Sequence, residues 1–144
     1  MLGLPNKTTR LAKIVETAAQ FLVTQRSAAG DLIDRGDNAI GFLGFSYGVM
    51  DAMCLHAGLG IRDTDEAFKC YLQRLVTRPE EVERAIRLIA RISSDRTWRH
   101  SIGVGASAGL WFLYHRSARA LPSQFSLRNM LEQAKTHGQA PQCG

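Results

Sequence analysis

The chain has 144 residues, of which 45% are hydrophobic and 22% are charged. This length accommodates one hydrophobic core but not two ordinary domains with a linker, and the composition excludes a charge-rich disordered chain. With 18 basic and 13 acidic residues, the net charge of +5 permits an anionic partner without requiring one. We therefore expect a single helical domain over residues 1–138, followed by a flexible tail at residues 139–144.

The first two predicted helices differ in how their apolar residues are distributed. Over residues 8–28, apolar side chains fall on one stripe opposite polar ones, which predicts an amphipathic helix. The segment DLIDRGD that follows predicts a turn or a short helical continuation. From Asp37, a predicted N-cap, the sequence NAIGFLGFSYGVMDAMCLHAG carries apolar residues on every side as far as Gly58. A helix that is apolar all round is a buried one, so this segment is predicted to be the central helix.

Two shorter amphipathic helices are predicted after the central one. Asp63, with Glu66 three residues later, resembles a helix-capping box, and apolar residues at helical spacing follow. In the segment TRPEEVERAIRLIARISS, Pro79 stands at a first-turn position and glutamates lie beside the positive end of the helix dipole. Residues 64–91 permit a helix-turn-helix motif, although the turn between the two helices lacks the usual glycine.

The last part of the chain predicts a fifth helix and a short sixth helix. Ser94 or Asp95 is a suitable cap for the fifth helix, RTWRHSIGVGASAGLWFLYHRSARAL, which ends before Pro122. The sixth helix starts after Ser126 and ends at Gly138. No segment alternates between apolar and polar residues over the length of a strand. The predicted fold is all-α: a single compact bundle of five or six helices, orthogonal or up-and-down, around a buried, Gly-rich central helix.

Small residues line one face of the central helix, namely Gly41, Gly44, Gly48 and Ala52. The fifth helix repeats this spacing with Gly105 and Gly109. A glycine inside a helix costs about 1 kcal/mol relative to alanine, so three glycines on one face indicate that another backbone approaches closely. We expect the two helices to cross at these residues, either within the chain or across a homodimer.

The central helix also permits two other interpretations. The segment from Gly44 to Gly48 matches the G-x-S-x-G nucleophile elbow of α/β-hydrolases, but too few residues precede it for the strands of such a sheet. A second match at residues 105–109 indicates that richness in small residues produces both. Residues 39–61 are long enough to span a bilayer, but Asp51 lies in the middle of that segment. We therefore do not expect a membrane partner, and a membrane-associated protein stays an alternative.

Asp51 is the polar residue of the central helix that most needs a partner. A carboxylate in an otherwise apolar helix must be paired, protonated or turned to an edge. We expect a buried ion pair with an arginine of another helix, and the alternative is a ligand pocket that Asp51 forms with Tyr47 or His56. No second carboxylate at a fixed spacing supports acid–base catalysis, so no catalytic residue is predicted.

The cysteines and the N-terminal residues bear on location and cofactors. Cys54, Cys70 and Cys143 are an odd number with no close pair, which favours reduced thiols over disulfides or a C-x-x-C metal motif. Histidine and cysteine do not occur at a recognised metal-ligand spacing. The segment MLGLPNKTTRLAK lacks the continuous apolar stretch of a secretory signal. We expect a cytoplasmic protein, bacterial in character, that uses no metal or other cofactor.

Arginines are candidates for contacts with anions. Arg84 and Arg87 in the fourth helix have Glu80 and Glu83 four residues ahead of them, which predicts partial neutralisation. Less compensated residues at the two ends of the fifth helix could contact phosphate or an acidic protein: Arg96, Arg99, His100, His115, Arg116 and Arg119.

These features predict a small interaction or regulatory protein that acts through helical protein–protein contacts, as a homodimer or with another protein. Glycine-faced helices are suited to close contact, and no catalytic constellation or cofactor-binding loop accompanies them. One alternative is a basic nucleic-acid-binding module, on charge alone. Another is a small ligand-binding protein with a pocket near Asp51.

Overall fold

The computed structural model describes residues 6–116 and 121–138, and over these residues it confirms the predicted all-α bundle. The α-helices are α1 (Lys7–Ala29), α2 (Asn38–His56), α3 (Ile61–Leu75), α4 (Pro79–Ile92), α5 (Ser101–His115) and α6 (Leu127–Gly138). Two short 3₁₀-helices cover Gly30–Asp34 and Ser123–Phe125. No strand forms within the described part of the chain. The predicted tail at residues 139–144 lies outside the described residues.

The helix α2 is the central helix of the bundle, as its apolar sequence predicts. It contacts each of the other five α-helices, and Phe45, Val49 and Met50 are fully buried. By length and composition α2 could also cross a membrane, but 61% of its most apolar stretch is buried inside the protein. Core helices of globular proteins share this length and composition, so neither property alone separates the two environments.

The helices α2 and α5 lie side by side and run in the same direction. Gly44 near the start of α2 packs against Ser101, the first residue of α5. At the other end, the rings of His56 and Tyr114 meet edge to face with centroids 5.7 Å apart. In a regular up-and-down bundle the second and fifth helices are antiparallel, so the up-and-down alternative is wrong. The reason is that α3 and α4 return the chain to the end of the bundle where α2 began.

The contact between α2 and α5 is made backbone to backbone. A Cβ atom on Gly48 would overlap the carbonyl oxygen of Ile102, and a Cβ atom on Gly105 would overlap the carbonyl oxygen of Phe45. Such a close approach allows Cα–H···O contacts between the helices and leaves larger side chains to fill the space on either side. These glycine faces are therefore covered within one chain.

The other small residues of the two faces have different neighbours. Gly41 lies against the six-membered ring of Trp98, whose side chain is 1% exposed. Gly109 lies against the backbone of Val49, with 3.1 Å between a Cβ position on Gly109 and the Val49 carbonyl oxygen. Ala52 is buried. The small face of α2 thus accepts an indole ring near its start and helix backbone further along.

The start of α3 differs from the prediction. The helix begins at Ile61, and Asp63 acts from the third helical position rather than as the N-cap. Its Oδ2 accepts a hydrogen bond from the backbone N–H of Gly60 at 3.0 Å. Asp63 also pairs with Lys7 of α1, with 2.7 Å between Nζ and Oδ1. The carboxylate therefore ties the first turn of α3 to α1.

The start of α5 also differs from the prediction, because Asp95 caps a set of turns instead of a helix. Oδ1 of Asp95 accepts hydrogen bonds from the backbone N–H groups of Thr97 and Trp98, each at 2.8 Å. The chain continues in turns through residues 96–100, and the helix begins at Ser101. Aspartate stabilises turns by the same local hydrogen bonds with which it caps helices, so the sequence signal is ambiguous.

The last described helix is attached to the first by a buried hydrogen bond. Oε1 of Gln25 in α1 accepts from the backbone N–H of Leu127 at 3.0 Å, although the two residues are 102 positions apart. As predicted, α6 follows Ser126, whose Oγ accepts from the backbone N–H of Asn129 at 3.1 Å. The side chains of α6 that pack into the core are Leu127, Met130, Leu131 and Ala134.

Candidate functional site

An open groove of about 720 Å³ lies between α3 and α4 and is the candidate functional site. The residue Tyr47 of α2 and the residue Ile102 of α5 also line it, so four helices contribute to one surface. Its larger apolar side chains are Tyr47, Ile61, Phe68, Ile86, Ile89 and Ile102, and its polar ones are Asp65, Glu66, Lys69 and Ser93.

The apolar wall on α4 arises because this helix has more apolar surface than the bundle covers. Val82, Ala85 and Ile92 are buried in the core. Ile86 and Ile89 pack against that core but are only half-buried, and they line the groove. An apolar stripe wider than the core contact is the sequence signal for such a surface. Ile86 and Ile89 were not predicted as site residues from the sequence, although both belong to this stripe.

At the α3 end of the groove, Ile61 is 68% exposed. Large side chains of this kind gain about 1.5–3 kcal/mol when they are fully buried, so Ile61 is the lining residue with most to gain from a partner. Its exposure also shows that the groove is open to solvent at this end, rather than closed into a cavity.

A hydrogen bond joins α2 to α3 at the wall of the groove. The hydroxyl of Tyr47 donates to Oδ1 of Asp65 at 2.7 Å, and its ring packs edge to face on Phe68 with centroids 5.2 Å apart. Burial, together with the hydrogen bond to the Asp65 carboxylate, raises the pKa of Tyr47 above its ordinary value. The phenol therefore remains protonated at neutral pH and holds the Asp65 side chain in place.

Asp51 does not form the predicted ion pair. Its Oδ1 accepts a hydrogen bond from Oγ1 of Thr64 at 3.0 Å, and within the described ranges no basic side chain pairs with it. The physical reason is that the face of α3 opposite Asp51 presents a buried threonine, whereas the carboxylate itself is only half-buried. One hydroxyl donor and partial access to water satisfy it without a cation.

His56 does not join Asp51 and Tyr47. It is exposed at the C-terminal end of α2, where its described ring contact is with Tyr114. Cys54 lies closer to Asp51: burial raises the pKa of its thiol to about 11, a hydrogen bond with Thr64 opposes this rise, and the Asp51 carboxylate adds to it. Of the three residues predicted to form a pocket, Tyr47 lines the groove, whereas Asp51 and His56 do not.

The basic residues predicted at the two ends of α5 do not form one site. Arg96, Arg99 and His100 are exposed in the turns before α5. Arg116 follows the helix with a φ of 51°, and its N–H donates back into the last turn at 2.6 Å. The helix between them has 15 residues, a length of about 22 Å. Arg119 lies outside the described residues.

The G-x-S-x-G segment of α2 does not form a nucleophile elbow. Ser46 is fully buried in the middle of the helix, and its Oγ donates to the carbonyl oxygen of Phe42 at 2.8 Å. A nucleophile elbow places its serine at an exposed turn between a strand and a helix, whereas Ser46 lies buried within a helix.

Fold and site together define an all-α bundle with an open, largely apolar groove between two of its helices. Comparison with protein-family models, with curated protein sequences and with solved structures gives no match. The functional conclusion therefore rests on the geometry and chemistry of the groove.

Proposed function

We propose that the protein is an interaction module whose groove binds an amphipathic helix of a partner protein. The observation that carries this proposal is the uncovered apolar row formed by Ile61 on α3 and by Ile86 and Ile89 on α4. Helix-in-groove recognition inserts apolar side chains at positions i, i+3, i+4 and i+7 into a surface of this kind. Each wall is lined over about two helical turns, or about 12 Å, which matches that spacing.

The rim of the groove specifies the charge of the partner helix. On α3 the acidic residues Asp65 and Glu66 outnumber the basic Lys69. On α4 and at its C-cap the residues that line the groove, Ile86, Ile89, Ala90 and Ser93, carry no charge. Charge complementarity then favours a partner helix with basic residues on the flank that faces α3 and none on the opposite flank. Such an asymmetric pattern fixes the orientation of the bound helix.

The openness of the groove favours a helix over a small ligand. A volume of about 720 Å³ would also hold a small molecule, but sites for such molecules enclose most of the ligand surface. A groove with an isoleucine that is 68% exposed at one end leaves a small ligand in contact with water. A helix covers this residue with its own apolar side chains.

A photo-cross-linking experiment tests the proposal. A photoreactive amino acid replaces Ile61 in the groove or, as a matched control, Val23 on α1, which is 65% exposed and outside the groove. The protein captured at Ile61 is identified in the cells that make this chain. The captured segment is then synthesised as a peptide and titrated against the purified protein.

We expect Ile61→Glu and Glu66→Lys each to weaken binding of that peptide at least about tenfold, because about 1.4 kcal/mol corresponds to that factor. Val23→Glu should leave its affinity unchanged. Capture of the same proteins at Val23 and at Ile61 contradicts the proposal. So does a captured peptide that is not helical when bound or that is insensitive to both groove variants.

A further inference from the structure

Positive charge is concentrated in the second part of the chain, on arginines that do not line the helix-binding groove. Residues 1–83 contain nine basic and eleven acidic residues, whereas residues 84–144 contain nine basic and two acidic residues. The excess of basic residues begins within α4, where Glu80, Glu81 and Glu83 precede the arginines, and it continues to the end of the sequence.

Four arginines that are close together in the sequence are called the arginine surface: Arg87 and Arg91 on α4, and Arg96 and Arg99 in the turns before α5. All four are exposed. Within the described ranges none of their guanidinium groups takes part in an ion pair or a hydrogen bond. Their charges are therefore directed to solvent or to another molecule.

The neighbouring acidic residues do not neutralise this surface. Glu83 and Arg87 have the i,i+4 spacing that predicts an ion pair, but the described structure contains none between them. Asp95 is the one acidic residue between positions 84 and 131 of the sequence. Its Oδ1 is engaged by two backbone N–H groups of the following turn. No ion pair among the described residues therefore fixes the four guanidinium groups, and they remain available to an anion.

The end of α5 adds to this potential. Arg96 and Arg99 lie next to the N-terminal end of the helix, which carries partial positive charge from the helix dipole. Side-chain capping, which would partly satisfy that end, is absent at His100. An anion that contacts the arginine surface is therefore attracted by side chains and by the backbone together.

We propose that the arginine surface binds the phosphate backbone of duplex nucleic acid. Guanidinium groups pair bidentately with phosphate, and the surface contains arginine without lysine. Single-stranded nucleic acid is bound on exposed aromatic rings, but Trp98, the aromatic residue of this stretch, is 1% exposed. Contacts to phosphate alone carry no base information, so binding is independent of sequence.

The test measures binding of a fluorescent DNA duplex of arbitrary sequence between about 50 and about 200 mM salt. Each phosphate contact contributes about −0.9 to the slope of log K against log salt concentration, so four contacts predict a slope of about −3 to −4. The double variant Arg87→Gln, Arg91→Gln should reduce the size of that slope by about 2. The matched control is Arg35→Gln, Arg128→Gln, which removes the same charge from two exposed arginines elsewhere on the surface.

Three outcomes overturn the proposal. These are no binding at the lowest salt concentration, an equal loss of binding in the two double variants, and tighter binding to vesicles of anionic phospholipid than to the duplex. The variant Ile61→Glu should bind the duplex as the wild-type protein does, because Ile61 is on α3 and is not one of the four arginine-surface residues. Failure of this proposal is thereby distinguished from failure of the helix-binding function.

Discussion

The backbone of Gly48 in α2 lies in direct contact with the carbonyl group of Ile102 in α5. No side chain separates the two helices at this point, so a methyl group on Gly48 has no space. We expect Gly48→Ala to lower the free energy of unfolding by about 1–3 kcal/mol, because overpacking exceeds the helix propensity that alanine gains. Equilibrium unfolding in denaturant measures the change.

Gly103, in the same helix as Ile102, provides the matched control. A Cβ atom placed on Gly103 meets no neighbouring atom within 4 Å. Gly103→Ala should therefore stabilise the protein by about 0.5–1 kcal/mol through helix propensity alone. Equal effects of the two substitutions would show that α2 and α5 do not approach each other as closely as described.

The ion pair between Lys7 and Asp63 makes part of the stability dependent on pH. The hydrogen bond from Lys7, and then that from the Gly60 N–H, hold the pKa of Asp63 below its ordinary value. A carboxyl group of this kind stabilises the fold above its unfolded pKa, and this stability is lost as the pH falls through the folded pKa. Asp63→Asn should thus be less stable than the wild type at neutral pH.

This difference in the free energy of unfolding should disappear on acidification below the folded pKa of Asp63. Denaturant unfolding at a series of pH values measures it. Asp34→Asn serves as a control, because Asp34 is exposed and forms no ion pair among the described residues. A difference between wild type and Asp63→Asn that stays constant down to about pH 2 would contradict the assignment.

The cysteines of α2 and α3 should differ in reactivity. Cys54 is fully buried and its pKa is raised to about 11, whereas Cys70 is exposed. Because the thiolate is the reactive form, iodoacetamide at about pH 8 should alkylate Cys70 and leave Cys54 unmodified until the protein unfolds. Mass spectrometry of the digested protein gives both rates. Native-state alkylation of Cys54 at the rate of Cys70 would disprove this burial.

An uncovered apolar surface on α5 is suited to forming the predicted homodimer. Gly105 and Gly109 are covered by α2, but on the outer side of α5 Gly103 has open space, and Leu110 and Tyr114 are 39% and 71% exposed. We expect a two-fold contact that buries Leu110 and Tyr114 against the same surface of the partner.

Sedimentation equilibrium should then give twice the monomer mass for the wild-type protein and the monomer mass for Leu110→Glu. Val23→Glu, which adds the same charge on α1, should remain dimeric. A wild-type protein that is monomeric at high micromolar concentration would rule out this dimer.

The sequence alone was sufficient to predict those features of the fold that depend on residues within one helix. The proline at position 79 begins α4, and the unbroken apolar character of α2 places it at the centre of the bundle. Each of these signals depends on a single residue or on the spacing of residues within one helix. Such signals fail where a residue type has two uses, as when Asp95 caps turns instead of a helix.

Long-range relationships could not be predicted in the same way. The direction of α5 relative to α2 depends on the path of α3 and α4, and the partner of Asp51 depends on which residue α3 presents to it. Neither appears in local spacing. The groove combines side chains from four helices, so no single segment reveals it. Surface pairs such as Glu83 with Arg87 have the spacing of an ion pair. Such a pair contributes so little free energy that the spacing alone does not determine whether it forms.

The packing of α5 against α2 has a consequence for folding during translation. A growing chain that has reached Ile92 already contains α1 to α4, but it lacks α5, whose backbone covers Gly48 of α2. Proteins leave the ribosome from the N-terminus, so this contact between α2 and α5 is complete once residues up to Gly109 have emerged. The core around α2 is therefore completed only after α1 to α4 have been made.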